Sequence, residues 1–299
     1  MLRINRNDVI YSMSPHNKPV AAADNGAVVV FETYDCFEGQ VTSENHHLGA
    51  IDWEHINPAT GPLYINSAAA GDTLKVEILD IKIDAQCAVC EAPSEGITGL
   101  VMTDEATKIL PVRGENVLFN DKISLPVKPM IGVIGTAPAN VSIPTGTPGE
   151  HGGNMDCKRI GKGTVLYLPV NVDGALLAMG DLHAIMGDGE VCVCGAEVNG
   201  EVTIRVEVLK GCLLPLPFLV TQNKFITICS EATVDEATVR CTLKMREFLT
   251  NALGMDEHTA GMLLSLCGDV RICQAVDPQK TCRMEVPTFI ADSYGYRFP

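Results

Sequence analysis

The chain has 299 residues, 46% of them hydrophobic, and 37 Asp and Glu outnumber 22 Lys and Arg for a net charge of -15. That is length enough to bury a large core, and the charge excludes nucleic acid and membrane surfaces as expected partners while favouring a small neutral molecule. The polar N-terminus lacks the apolar stretch of a signal peptide and no run approaches a membrane span, so a cytoplasmic protein is expected.

Along the first two-thirds, residues alternate apolar and polar at a period of two: AVVVFETYD (27 to 35), DTLKVEILDIKI (72 to 83) and GEVTIRVEVLKG (200 to 211). These segments are expected strands, and their spacing by turn residues predicts a mainly β protein, sandwich or jelly-roll-like. LKVEIL and IRVEVL within them are similar enough to raise an internal duplication. Between the first two of these strands, ENHHLGAIDWEH (44 to 55) holds three of the seven histidines, among them His46, which we assign to substrate binding. Cys87 and Cys90 form a CxxC with no second pair to complete a four-thiolate zinc site, so buried free thiols are expected. SIPTGTPGEHGGNMD (142 to 156) reads as a long rigid loop. Cys192 and Cys194 alternate as on one face of a strand.

Near residue 232 the pattern changes. Thr233 is an expected helix cap, acids follow it, Cys241, Met245, Leu249 and Ala252 form a stripe, and Gly254 ends it. A second helix is expected after Asp256 to about Cys267, followed by strands at 269 to 276 and 282 to 290. The whole is expected to be a single domain over 1–299: β-rich to 231, a helical pair over about 233–267, and strands again over 269–290.

Two short segments carry the densest chemistry. In GDLHAIMGDGE (180 to 190), Asp181 and His183 are two apart on a strand and project from one face, with Cα atoms about 6.5 to 7 Å apart. Gly187 and Gly189 then permit a reversal that returns Glu190 to the pair, giving the mixed nitrogen and oxygen donors of a divalent metal site. The spacing fits neither a calcium EF-hand nor a zincin helix. In EHGGNMD, an imidazole, an amide and a carboxylate (His151, Asn154, Asp156) surround Gly152 and Gly153. Cys157 is a weaker nucleophile candidate, because the neighbouring carboxylate disfavours its thiolate.

At HGGNMD and GDLHAIMGDGE the sequence resembles the acetamidase/formamidase family of small amide hydrolases, supported by FETYDCFEGQ (31 to 40), GPLYINSAAAGDTLKVEI (61 to 78) and DVRICQAVDP (269 to 278). The resemblance implies a β-rich fold, hydrolysis of short aliphatic carboxamides to carboxylate and ammonia, and a divalent metal. It carries over His151, Gly152, Gly153, Asn154 and Asp156 from the first motif, and Asp181, His183, Gly187, Gly189 and Glu190 from the second. On this basis Asp156, Asp181 and His183 are expected metal ligands, with zinc the first choice and calcium the second, and Glu190 the proton carrier. His151 and Asn154 are expected to serve the oxyanion, helped by the main chain of Gly152 and Gly153. A homodimer is expected. Two alternatives stand beside this reading: a hydrolase of another C–N substrate on the same fold, and a non-catalytic β-sandwich module holding structural calcium.

Overall fold

A computed structural model describes residues 1–299. The segments with period-two alternation are strands, because one face of each is buried. Thr73–Ile83 and Gly200–Leu209 alternate buried and half-buried residues along most of their length. These two similar segments are antiparallel neighbours, with Val206 opposite Val76 and Ile204 opposite Ile78. Their outer faces are tied by Lys75 to Glu207 at 3.1 Å and by Arg205 to Glu77 at 2.5 Å. Placement in one ladder over one core demands the same alternation of both.

They lie in a nine-stranded sheet that runs from Leu2–Ile4 at one edge to Asp269–Gln274 at the other. A second, eleven-stranded sheet packs on it and contains Gln86–Glu91, Glu197–Val198, Leu177–His183, Met130–Gly135 and Gly152–Asn154 in adjacent order. Val29, Phe31, Leu74 and Val76 from the first sheet meet Ile131, Ile134, Met179 and Leu182 from the second in the main core. The mainly β, layered expectation therefore holds. No helix is long and apolar enough to cross a membrane.

The helical pair is also where the sequence places it. α1 spans Val234–Asn251 with Thr233 and Glu236 in a reciprocal capping box, and α2 spans Glu257–Cys267 with Asp256 as its cap. The buried stripe of α1 is Ala237, Cys241, Met245, Phe248 and Leu249, which packs with Phe218 and Phe225 of the sheet. Ala252 is exposed and Leu253 is buried in its stead, because Leu253 continues the four-residue spacing of Cys241, Met245 and Leu249 while Ala252 still has helical dihedrals.

Other boundaries shift for identifiable reasons. The strand Lys280–Pro287 stops before residue 290, since Pro287 lacks an N–H and leads into a short helix, α3, at Thr288–Ser293. The expected loop at 142 to 156 contains two paired stretches, Ile143–Pro144 against Ser12–Met13 and Gly152–Asn154 against Met130–Gly135. Cys192 and Cys194 lie in a turn rather than on a strand, and all twelve cysteines are free.

Candidate active site

The strand Leu177–His183 is buried at every residue and pairs with Met130–Gly135 on one side and with Glu197–Val198 and Ala59–Ile65 on the other. Its last residues carry Asp181 and His183. Opposite Asp181 the neighbouring strand has Gly132, and a Cβ there would lie 2.4 Å from Asp181 Oδ2 and 2.5 Å from Asp156 Oδ1. Two carboxylates thus occupy the space that a side chain would fill. We predict that Gly132→Ala expels at least one of them and abolishes bound metal and turnover while the sheet remains folded, as metal analysis beside circular dichroism would show.

Four carboxylates converge on His183 Nε2: Glu197 at 3.0 Å, Asp181 at 3.2 Å, Glu190 at 3.7 Å and Asp156 at 3.9 Å. All five side chains are buried. The backbone is shaped to bring them together, since Asp156, Asp181 and Glu190 adopt left-handed φ values of 43°, 54° and 48°. For non-glycine residues such a conformation costs about 1 kcal/mol or more each, and it persists only where the surroundings impose it.

Glu190 is carried by a loop rather than by the start of a strand. That loop is fastened to the C-terminal sheet edge, where Gly189 N–H donates to the Cys273 carbonyl and Ala275 N–H to the Gly189 carbonyl. Asp188 has a structural part: buried Arg283 donates to both its oxygens at 2.7 and 2.9 Å, and Lys158 lies 3.1 Å away. Glu285 completes the anchor through Arg283 and Arg159. The same attachment brings Asp277, whose Oδ2 accepts from Asn154 Nδ2 at 2.9 Å.

Burial pushes Asp156 up to about 7, helped by repulsion from Asp181 and opposed by His183. Burial likewise raises Glu197 to about 8 and holds Glu190 and Asp277 well above the usual carboxylate range. Burial alone would lower His183, but Glu197 and Asp181 override it and hold the imidazole well above its ordinary value. Five acids are crowded here, and the His183 imidazole and Lys280 beside Asp277 are too few positive charges to balance them. Both oxygens of Asp156, Oε2 of Glu197 and Oδ1 of Asn154 also have no hydrogen-bond partner.

That donor set fits a divalent ion. Donor atoms of Asp156, His183 and Glu190 all lie within 4.8 Å of one another, as do those of Cys36, Asp181 and Glu197. Ligands at the usual bond lengths of about 2.0 to 2.2 Å stand roughly 3 to 3.5 Å apart, close to the separations seen here. Cys36 enters through Asp35, whose carboxylate accepts from the N–H groups of Phe37 and Gly39 and so fixes the turn.

A cavity of about 680 Å³ opens onto the cluster, with Asn154, Asp181, His183, Glu190, Glu197 and Asp277 in its lining. His151, Gly152, Gly153 and His46 are not among the lining residues. Gly152 and Gly153 serve close packing, because a Cβ would meet Ile134 O at 2.3 Å in one case and Thr147 O at 2.7 Å in the other. His151 sits against Gly153, and burial pushes it down to about 4, so it is neutral. Cys157 is buried beside Arg283 and Cys273, outside the cavity. Sequence reasoning missed Glu197 and Asp277; only Gly195, two residues before the first, and the turn-forming VDP around the second hinted at them.

Known proteins share this arrangement of strands. The chain superposes on an acetamidase from Bacillus halodurans with a TM-score of 0.97 and 46% identity, covering 98% of this chain and all of that one. An acetamidase from Yersinia enterocolitica gives a TM-score of 0.92 at 30% identity, covering 97% and 92% of the two chains. A Schizosaccharomyces pombe protein named as a formamidase is 27% identical over 257 residues, and the match spans 63% of this chain and 61% of that protein's length. The acetamidase/formamidase family model matches residues 12–144 and 130–293, which include every carboxylate that faces His183. By sequence and by fold, the chain belongs to the acetamidase/formamidase family.

Proposed function

We propose that the protein hydrolyses neutral carboxamides to a carboxylate and ammonia, with formamide and acetamide as the smallest substrates. The observation that carries this reading is the buried cluster of acids around His183, with unpartnered oxygens, beside an open cavity. Asp156, Asp181 and His183 would hold a divalent ion, with zinc the first choice for its mixed nitrogen and oxygen donors and calcium the second. Such an ion, when bound, supplies positive charge that acidifies water and polarises a carbonyl.

The chain's own groups do the rest. An amide resists attack because its nitrogen donates into the carbonyl and leaves poorly unless protonated. Glu190 faces His183 at 3.7 Å from the anchored loop; burial, first of all, raises its pKa, and a bound cation would oppose that shift and favour the carboxylate. As the carboxylate it would take the proton of the attacking water, and as the resulting acid it would deliver that proton to the departing nitrogen. Asn154 spends one N–H on Asp277, and its second N–H is available for the developing oxyanion. The absence of any free cation in the lining other than Lys280, which donates to the Asp277 carbonyl, favours a neutral substrate.

Glu190→Gln tests the division of labour. The expected outcome is retained metal with ammonia release reduced by about 10² to 10⁴. Loss of the metal along with activity would make Glu190 a ligand, and retained activity would remove it from the mechanism.

A further inference from the structure

The cavity is far larger than acetamide. Four non-hydrogen atoms, at roughly the 30 Å³ that a water molecule occupies in the liquid, take up about 120 Å³. The cavity holds about 680 Å³, within the size range that encloses much larger ligands. Asp181, His183, Glu190 and Glu197 in its lining are buried, whereas Trp53 is 50% exposed, so the catalytic cluster is deep and the Trp53 end faces outward.

The apolar part of this lining comprises buried Phe37 and Leu48, half-buried Tyr11 and Ile56, and exposed Trp53 at its outer rim. Several of them are held in place. The Tyr11 hydroxyl donates to Glu38 Oε1 at 2.8 Å, and its ring meets His55 edge-on with centroids 4.8 Å apart. Asp52 fixes the turn that presents Trp53: its carboxylate contacts His55 Nδ1 at 2.7 Å and caps Glu54 N–H, and its own N–H donates to Gln40 at 2.8 Å. A half-exposed indole on a pinned turn and a hydrogen-bonded phenol in the lining of the same open cavity are a preformed apolar surface that water covers at a cost. The acids in this outer part, Glu54 and Glu95, are exposed and repel an anionic acyl group.

We propose that this apolar lining is an acyl-binding site for carboxamides that carry a neutral aromatic acyl group, such as arylacetamides. The inference rests on the amidase reading for the chemistry at the buried end. An aromatic ring there stacks on Trp53 and Tyr11 while the carboxamide reaches Asn154 and Glu190. Each methylene removed from water in such a site improves kcat/KM by about fourfold, and a whole ring by considerably more.

The test compares acetamide, hexanamide, phenylacetamide and succinamate as substrates of the metal-loaded protein and of Trp53→Ala. Phenylacetamide is expected to exceed acetamide in kcat/KM by about tenfold or more, mainly through KM, to exceed hexanamide, and to leave succinamate far behind. Trp53→Ala should lower the ratio of phenylacetamide to acetamide by about tenfold. Turnover of acetamide with phenylacetamide equal or slower overturns the acyl site and leaves the amidase reading standing, and hexanamide ahead of phenylacetamide overturns its aromatic character. Trp53 is the only tryptophan, so its fluorescence reports binding apart from chemistry. Saturable quenching by phenylacetamide without hydrolysis of any amide would support the binding site and reject the amidase reading; no hydrolysis and no quenching would reject both.

Discussion

Replacing His183 with alanine is expected to remove the metal and to lower amide turnover by about a thousandfold or more, since the acidification of water from about 15.7 towards 7 is lost with it. His183 provides the single imidazole that four buried carboxylates face, and its Nε2 lies within 3.9 Å of each. Without it the cluster loses its only imidazole nitrogen and keeps carboxylates and the Cys36 thiol, so the group of donors that includes Asp156 and Glu190 is reduced to oxygens. The protein should still fold, because the hydrophobic packing between the sheets does not depend on this side chain. Metal content by elemental analysis, beside the circular dichroism spectrum, checks both halves. A variant that keeps its metal and its turnover would show that the imidazole is a structural partner of Glu197 alone.

The second large effect concerns stability. Asp156 rises from 3.8 to about 7 and Glu197 from 4.5 to about 8, in both cases chiefly through burial. Between those limits the folded protein binds more protons than the unfolded chain, so ion-free stability falls as pH rises from about 4 to about 8. His183 acts in the same direction. Its pKa is raised on folding, so its contribution is complete below its ordinary value of 6.5 and disappears as pH passes the raised one. Each group contributes a slope of up to about 1.4 kcal/mol per pH unit. A bound divalent ion supplies the missing positive charge and should flatten the curve. Thermal unfolding of chelator-treated and zinc-loaded protein from pH 5 to 8 should therefore diverge, the zinc-loaded form gaining most at the alkaline end. Parallel curves would mean that the acids are not relieved by metal.

Much of the fold was legible because its signals are local. Alternation in DTLKVEILDIKI and GEVTIRVEVLKG reports one buried face, and Thr233 with Glu236 marks a helix start within four residues. The site was legible only where chemistry and glycine fall together, as at Asp156, Asp181, His183 and Glu190. Glu197 lies on a strand of two residues and Asp277 beyond the end of another, so no period marks either as inward-facing. Their place is set by long-range pairing, Glu197 by the strand beside His183 and Asp277 by the bridge from Gly189 to Gln274. Arg283 was illegible for a related reason: within CRMEVP it resembles the polar side of an exposed strand, yet it is fully covered because Asp188 returns from a distant loop to pair with it. The histidines of ENHHLGAIDWEH drew attention to a segment that does reach the cavity, but through Leu48, Trp53 and Glu54 rather than through His46.

Few of the aromatic residues needed to be large or numerous for this purpose. Aromatics make up 5% of the chain, which taken alone argues for a small substrate, but Tyr11, Phe37 and Trp53 are gathered around one cavity. Composition averages over the molecule and specificity depends on where three rings are placed.

On the proposed reading the acids around His183 form a metal-dependent amide-hydrolysing centre. Ammonia release from acetamide and phenylacetamide, measured on the same preparation before chelation, after chelation and after readdition of zinc, tests it most directly. Turnover that chelation removes and zinc restores in proportion to the metal bound is expected. Turnover unaffected by complete removal of metal, or no turnover of either amide at full metal occupancy, would contradict it.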